Sequence, residues 1–218
     1  MNYRPLIMSA EMALAYRDGR KRQTRRIISK AGRFCGITEF GPSVSPRYSW
    51  HFRDARMQWQ YLTDVELLRN AAFRPGDGLW VREPLASKGP WTTYVADGAD
   101  ATDWAWQWKP KSLAARYMPK ILCRTLGVCE DVRVTRVQEI TEEDAKAEGV
   151  SAIISPITGS GSFRVGFCRL WNDLHGNKPG ERWEDNPWVY VYCLSEPITT
   201  DHAEAQRMLG EGEAHEQG

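Results

Sequence analysis

The sequence has little of what metal sites and disulfide frameworks require. Its 218 residues contain four scattered histidines and five cysteines, and the cysteines form no CxxC pair. Because zinc ligands cluster at short spacings, we expect no metal and no other cofactor. The odd number of cysteines, together with the lack of a secretory signal, predicts reduced thiols in a cytoplasmic protein.

Long apolar runs and internal repeats are lacking as well. No run approaches the roughly 20 apolar residues of a membrane span, so we expect no membrane partner. No internal period occurs, which argues against a repeat architecture. A content of 42% apolar and 26% charged residues is typical of a soluble globular protein, and 218 residues suffice for one domain with a hydrophobic core.

Tryptophan and local charge are present in excess. Ten tryptophans are many for this length; we expect most of them in the core, whereas exposed ones in a cleft can stack on planar ligands. The net charge of +1 hides an uneven distribution. Residues 17–33 carry eight basic side chains and one acid, whereas residues 199–218 carry five acids and one arginine. The sequence therefore predicts a basic N-terminal region and an acidic tail.

Local signals predict short strands interrupted by short helices. Thr63 and Glu66 have the spacing of a capping box at the start of a helix. Residues 120–140 are rich in β-forming side chains, and Gly127 or the pair Glu130-Asp131 is expected to divide them into two strands. The other predicted elements are strands at 4–8, 23–28, 79–83, 92–96 and 187–195 and helices that follow Ser9, Thr141 and Ser162.

The order of these elements predicts the fold class. It contains no βαβ repeat, which favours an α+β domain over a parallel α/β sheet. Short strands with few helices predict a small closed or half-closed β-barrel that carries short helices on its rim. After Pro197 the polar, acidic composition predicts disorder.

The stretch GRKRQTRR, residues 19–26, concentrates five basic side chains around Thr24. Runs of like charge are usually disordered, but this one lies between a predicted helix and a predicted strand. We therefore expect it to be ordered and to form one wall of the main cleft.

Four ordered blocks of sequence resemble the ASCH domain family, which shares the PUA-like barrel, and especially its phage-encoded members. The blocks are GRK at 19–21 followed by Thr24 and Arg26, PGDGLWVRE at 75–83, DVRVTRVQEITEEDAKAEGV at 131–150 and NPWVYVY at 186–192. The resemblance implies a single PUA-like domain over residues 1–195, with long insertions at about 29–74 and 84–120. Residues 196–218 then form a disordered acidic tail.

One bacterial branch of this family hydrolyses N4-acetylcytidine to cytidine. Resemblance to that branch implies catalytic roles for Lys21, Thr24 and Glu148, and it matches Arg26 to an arginine two residues beyond the threonine. Other branches are linked to RNA binding or RNA cleavage, so the family name does not settle the activity. The residues expected to contact substrate or nucleic acid are Arg20, Arg25, Arg26, Arg82 and Glu83.

The requirements of amide hydrolysis can be compared with these residues. The reaction needs a nucleophile, a base, an acid for the leaving amine and stabilisation of the oxyanion. Neighbouring cations lower the pKa of a lysine, and Lys21 lies among four arginines, so it is a candidate base for the Thr24 hydroxyl. Glu148 can protonate the leaving nitrogen, and Arg26 can hold the oxyanion.

A purely structural role for the same residues stays open. An arginine-rich turn is often a solvated face, and Glu148 can simply end a helix. Lys21 and Thr24 point to opposite sides of a regular strand, so they share a site only if the turn extends past Lys21. Glu83 needs a cationic partner, which the basic segment can supply; a structural ion pair is favoured there over substrate contact.

Three functions follow from these alternatives. The first is an amidohydrolase that acts on a modified nucleoside. The second is a non-catalytic module that binds RNA or DNA, with RNA favoured over DNA. The third is a phage accessory protein that contacts a host factor through the two insertions. A phage-encoded protein of this kind would act in the cytoplasm of the host cell.

Overall fold

The computed structural model describes residues 3–28, 38–98 and 101–214, and within these ranges the chain forms a mixed α+β structure with several sheets. The strands are β1 (Tyr3–Ile7), β2 (Gln23–Ile27), β3 (Thr38–Pro42), β4 (Trp50–Arg53), β5 (Trp59–Leu62), β6 (Gly78–Arg82), β7 (Leu85–Lys88), β8 (Trp91–Tyr94), β9 (Ala101–Ala105), β10 (Ser112–Leu113), β11 (Leu126–Arg136), β12 (Ile153–Ile154), β13 (Gly161–Ser162) and β14 (Trp188–Leu194). The α-helices are α1 (Ala10–Arg17), α2 (Asp64–Arg69), α3 (Glu142–Ala147), α4 (Phe163–His175) and α5 (His202–Ala214). The predicted α+β class is therefore confirmed. No helix of the described ranges is both long and apolar enough to cross a membrane.

The chain forms two compact units, where the sequence predicted one domain over residues 1–195. The first unit comprises Met1–Arg22, Gly76–Cys129 and Leu194–Gly218, and the second comprises Gln23–Pro75 and Glu130–Cys193. Each unit is thus assembled from segments that are distant in sequence. The expected insertion at 29–74 belongs to the second unit, and the one at 84–120 belongs to the first.

The first unit combines parallel and antiparallel strand pairs. β1 runs parallel to β6, and β6 pairs antiparallel with the beginning of β11. A second sheet has the strand order β10–β7–β8–β9. Helix α1 begins at Ser9, whose hydroxyl accepts a hydrogen bond from the backbone N–H of Met12, and it is followed by Gly19 in the left-handed conformation. The start at Ser9 is the one that the sequence predicts.

Helix α5 corrects the expectation of a disordered tail. Ala205 and Leu209 pack into a hydrophobic cluster with Trp80 and Leu126, all in the first unit. Asp201 accepts a hydrogen bond from the backbone N–H of Glu204 and so caps the helix. The acidic residues Asp201, Glu204 and Glu211 are exposed, while Ala205 and Leu209, four positions apart, lie on one buried face of the helix.

The second unit is built around the pair of β2 and β14, a meander of β3, β4 and β5, and helices α2 to α4. The capping box at α2 is confirmed, because Thr63 and Glu66 exchange hydrogen bonds between side chain and backbone. The core of this unit is a cluster of buried residues: Ile27, Val137, Ile140, Ala145, Val150, Phe167, Trp171, Val189 and Val191.

The region 120–140 forms one long strand instead of the two that were predicted. β11 continues through Gly127 and through the exposed pair Glu130-Asp131, and 3-10 turns at Lys120–Leu122 and Val137–Glu139 lie before and after it. A Cβ atom at Gly127 would lie 1.7 Å from the hydroxyl of the fully buried Tyr16. The glycine is therefore required by the close approach of this side chain and does not mark a strand break.

Candidate functional site

Strand β2 presents two different faces within the second unit. Because side chains alternate along a strand, Arg25 and Ile27 lie on one face and Thr24 and Arg26 on the other. Ile27 belongs to the hydrophobic core of this unit, so Arg25 is directed to the same side as the core. The site is therefore built from a buried cationic face and a second face that carries the threonine.

The guanidinium of Arg25 is held by two carboxylates of the α3 region. Its Nη1 donates to Oε1 of Glu148 at 2.8 Å, and its Nη2 donates to Oδ2 of Asp144 at 2.9 Å. The side chains of Arg25 and Glu148 are 1% and 4% exposed. The ring of Phe167 lies 5.7 Å from the guanidinium carbon. Arg25 is thus a buried anchor for Glu148, which differs from the expected contact with substrate or nucleic acid.

Helix α3 places both carboxylates. Thr141 caps it by accepting a hydrogen bond from the backbone N–H of Asp144, and Glu148 is the C-terminal cap residue. Gly149 follows with a φ of +84°, a conformation that favours glycine and ends the helix. Asp144 and Glu148 are four residues apart, so one turn of helix brings both to the same side.

Asp144 accepts hydrogen bonds from three side chains, and the sequence analysis did not identify this residue. Besides Arg25 it accepts from Nε2 of Gln23 at 2.9 Å and from Nη2 of Arg133 at 2.7 Å. Burial alone would raise the pKa of this carboxyl, but the hydrogen bond from Gln23 and the charges of Arg25 and Arg133 outweigh it and hold the pKa below its usual value.

This depressed pKa predicts acid-dependent stability. Asp144 contributes to stability above about pH 3.9, the value for an unfolded chain, and the contribution is lost as pH falls through the lower folded pKa. Asp144→Asn is expected to lower the free energy of unfolding by about 1.5–3 kcal/mol at pH 7. Urea unfolding at several pH values between 7 and 3 should show that the free energy of unfolding of the parent falls towards that of the variant as the pH is lowered. Glu143→Gln, on the same helix, is the control. A difference in the free energy of unfolding between the parent and Asp144→Asn that stays constant with pH would contradict the prediction.

The opposite face of β2 carries Thr24, which is buried, and Arg26, which is exposed to solvent. Surrounding protein atoms nevertheless desolvate the guanidinium of Arg26 and lower its pKa, while the nearby carboxylate of Glu148 and, once it ionises, the phenol of Tyr192 oppose this effect. Arg26 is thus exposed as a residue, while its guanidinium group is surrounded by protein atoms. Glu148 thus acts on Arg25 by hydrogen bonding and on Arg26 by charge.

The neighbouring strand β14 extends this second face with aromatic residues. Tyr192 pairs with Thr24, accepts a hydrogen bond from the backbone N–H of Ala72 and meets Phe73 edge-on at 5.0 Å. Phe73 also borders a surface cavity of about 230 Å³. The residues that line this cavity are Val65, Leu68, Arg69, Phe73, Arg74, Pro75 and Val132.

Lys21 is assigned to the first unit and is 3% exposed. Its backbone N–H and that of Arg20 both donate to the carbonyl oxygen of Ala15 at 2.9 Å, which closes the turn after α1. The regular strand begins only at Gln23. The turn after α1 therefore includes Lys21, which is not part of the regular strand β2.

The basic segment is not a row of free cations. Arg17 pairs with Asp97 at 2.5 Å, Arg20 with Asp18 at 3.1 Å and Arg22 with Glu196 at 3.3 Å. Together with the carboxylates on Arg25, these partners neutralise much of the charge that the sequence concentrates there. They also weaken the expectation that neighbouring cations act on Lys21. Lys30 and Arg33 of the same segment lie outside the described residues.

Glu83 forms a structural ion pair within the first unit, the interpretation that the sequence analysis favoured. Arg124 donates to both of its carboxylate oxygens at 2.8 Å, and Glu83 is 1% exposed. Arg124 also binds Asp97 and lies 3.7 Å over the ring of Tyr94. The partner of Glu83 is thus Arg124 and not the basic segment.

Arg82 is likewise occupied by the protein itself. Its Nη2 donates to the carbonyl oxygen of Met118 at 2.9 Å, and its guanidinium lies 5.2 Å over the ring of Trp80.

In the parts of the chain that the structure describes, no group of three or more His, Cys, Asp or Glu side chains is gathered for a metal ion. Burial raises the pKa of the Cys123 thiol to about 12, so this thiol stays protonated at neutral pH.

Comparisons of the chain with models of protein families, with curated proteins and with solved structures find no match. The assignment of a function therefore depends on the residues and on the geometry described above.

Proposed function

We propose that the protein belongs to the ASCH domain family, has a PUA-like barrel, and hydrolyses the N4-acyl amide of a modified cytidine. The observation that supports this best is the buried carboxylate of Glu148, which Arg25 holds and whose charge reaches Arg26, on the strand that also carries Thr24. Three of the four residues that the family resemblance selects thus belong to one small region of the second unit.

In the proposed reaction Lys21 accepts the proton of the Thr24 hydroxyl, whose oxygen attacks the acyl carbonyl carbon. Arg26 stabilises the oxyanion of the tetrahedral intermediate. When the C–N bond breaks, the proton that Lys21 took from Thr24 passes through the Glu148 carboxyl group to N4, and cytidine leaves. Water then hydrolyses the acyl ester on Thr24, which releases the carboxylic acid and restores the hydroxyl. Lys21 and Thr24 are separated by only two residues along the chain.

Arg25 has a different role in this scheme from the one that the sequence suggested. Because its guanidinium is buried and bound to Glu148 and Asp144, we assign it to the positioning of Glu148. Arg82 and Glu83 are assigned to the structure of the first unit, since both are engaged by residues of that unit. Arg26 keeps its proposed contact with the substrate.

The test is incubation of the protein with N4-acetylcytidine and with N4-acyl cytidines of longer chain, as nucleosides and within short RNAs. Release of cytidine is followed by chromatography, and binding of the same compounds is measured in parallel by calorimetry. Turnover of at least one compound supports the proposal. Binding without turnover would assign a non-catalytic binding role, and neither binding nor turnover would refute the assignment to this substrate class.

A further inference from the structure

The small sheet of β3, β4 and β5 has one packed face and one exposed face. On the packed face Phe52 and Leu62 are buried, and Trp50 lies opposite Leu62. The indole of Trp50 stacks on Phe40 at 5.4 Å and meets Trp188 edge-on at 5.1 Å. This face accounts for the stability of the sheet within the second unit.

The opposite face is aromatic although it faces solvent. Register places His51 opposite Tyr61 and Arg53 opposite Trp59. Trp59 is 43% and Tyr61 46% exposed. Antiparallel sheets with one solvated face usually carry polar side chains there. Neighbouring exposed aromatics on such a face are therefore evidence for a binding surface.

These aromatics are part of a continuous row of planar groups. The aromatic row consists, in spatial order, of Arg47, Tyr48, Tyr61, His51, Trp59 and Arg53. The contacts within Arg47–Tyr48–Tyr61 and within His51–Trp59–Arg53 are 5.0–5.6 Å, and strand register places Tyr61 opposite His51 between these two groups. A cationic group stands at each end, and every member presents a planar surface.

The acids near the row already have partners within the protein, including Asp64, which accepts hydrogen bonds from the Ser49 hydroxyl and the Trp50 indole. Glu39 pairs with Arg53 at 3.0 Å. Asp54 accepts the backbone N–H groups of Arg56 and Gln58 in the β4–β5 turn, and these hydrogen bonds lower its pKa. Asp54 is thus committed to the turn. Over the residues of β3 to β5 and their turns, three arginines stand against two acids.

We propose that the aromatic row binds single-stranded nucleic acid. Unpaired bases stack on Tyr48, Tyr61 and Trp59, and phosphates pair with Arg47 and Arg53. Sheet surfaces that carry aromatics on adjacent strands stack bases in this way. Because stacking and phosphate pairing do not involve the sugar 2′-hydroxyl, we expect RNA and DNA strands to bind alike. This inference is independent of the proposed hydrolysis.

The test measures binding of fluorescein-labelled 12-nucleotide single strands, oligouridine and oligothymidine, to the full chain by fluorescence anisotropy. The parent should bind both. Trp59→Ala and Tyr61→Ala should each weaken binding by about tenfold, the loss typical of one base–aromatic stack. Trp59→Phe should retain most of the affinity. Trp91→Ala removes a tryptophan that is 45% exposed on β8 and serves as the matched control.

Salt dependence provides a second readout. Arg47→Gln should reduce the slope of log K against log salt concentration by about one unit, as expected for one lost phosphate contact. All variants should keep the unfolding midpoint of the parent because the substituted residues are not in the core. Failure of the parent to bind either strand, or equal weakening by Trp91→Ala, would overturn the proposal. Turnover of free N4-acetylcytidine should be unchanged by Trp59→Ala, which separates this inference from the proposed function.

Discussion

Lys21→Ala is expected to lower the rate of the proposed N4-acetylcytidine deacylation by about 100- to 10,000-fold, the range for loss of a general base. The physical reason is that the Thr24 hydroxyl is a weak nucleophile until its proton is removed. Lys21 is 3% exposed and separated from Thr24 by two residues, so no solvent base replaces it readily. The measurement is the initial rate of cytidine release at saturating substrate.

Companion variants separate catalysis from binding. Thr24→Ser should keep part of the activity, since the hydroxyl survives. Glu148→Gln should lose rate while it keeps affinity for the nucleoside, because the amide has the same volume and no carboxyl proton. Arg22→Ala is the matched control, since this arginine belongs to the same basic run and pairs with Glu196. A parent that turns over and a Lys21→Ala variant with unchanged rate would disprove this mechanism and leave the reaction class standing.

The second large effect is on stability and concerns the ion pair between Arg124 and Glu83. Arg124→Met is expected to lower the free energy of unfolding by about 3–5 kcal/mol, because it leaves a buried carboxylate without its partner. Glu83 is 1% exposed and accepts two hydrogen bonds from Arg124. Urea unfolding at pH 7, followed by tryptophan fluorescence, measures the change.

The design includes a rescue and a control. Combining Arg124→Met with Glu83→Leu removes both charges and should recover a large part of the loss, since apolar residues of similar volume replace buried ion pairs well. Arg116→Met, at an exposed arginine in the same unit, should change the free energy of unfolding by no more than about 0.5 kcal/mol. If Arg124→Met were as mild as Arg116→Met, the pair would not be a stabilising element of the first unit.

Helix ends and most strands were predictable because their signals are local. Ser9, Thr63 and Thr141 each cap a helix through a backbone N–H only three residues away. Such a contact needs no knowledge of the rest of the chain. The strand at 187–195 was likewise evident from its run of β-forming residues and is observed as β14.

Predictions failed where a local signal had a tertiary cause. Gly127 was taken as a possible strand break, yet it sits within β11 and makes room for the Tyr16 hydroxyl. The acidic tail was expected to be disordered, yet Ala205 and Leu209 anchor α5 in a hydrophobic cluster. Composition averages over a segment, whereas the spacing of its apolar residues decides whether they share one face of a helix and can be buried together.

The sequence by itself determined the α+β class, the capped helices and the concentration of basic residues around Thr24. The tertiary structure alone decided which carboxylates meet those bases. Arg25 binds Glu148 across 123 positions of sequence, and Arg124 binds Glu83 across 41. A charged side chain can pair with any opposite charge that the fold brings within about 4 Å, and that choice depends on the path of the whole chain. Local pattern carries no information about it, so the partners of Arg25 and Glu83 became evident only from the folded protein.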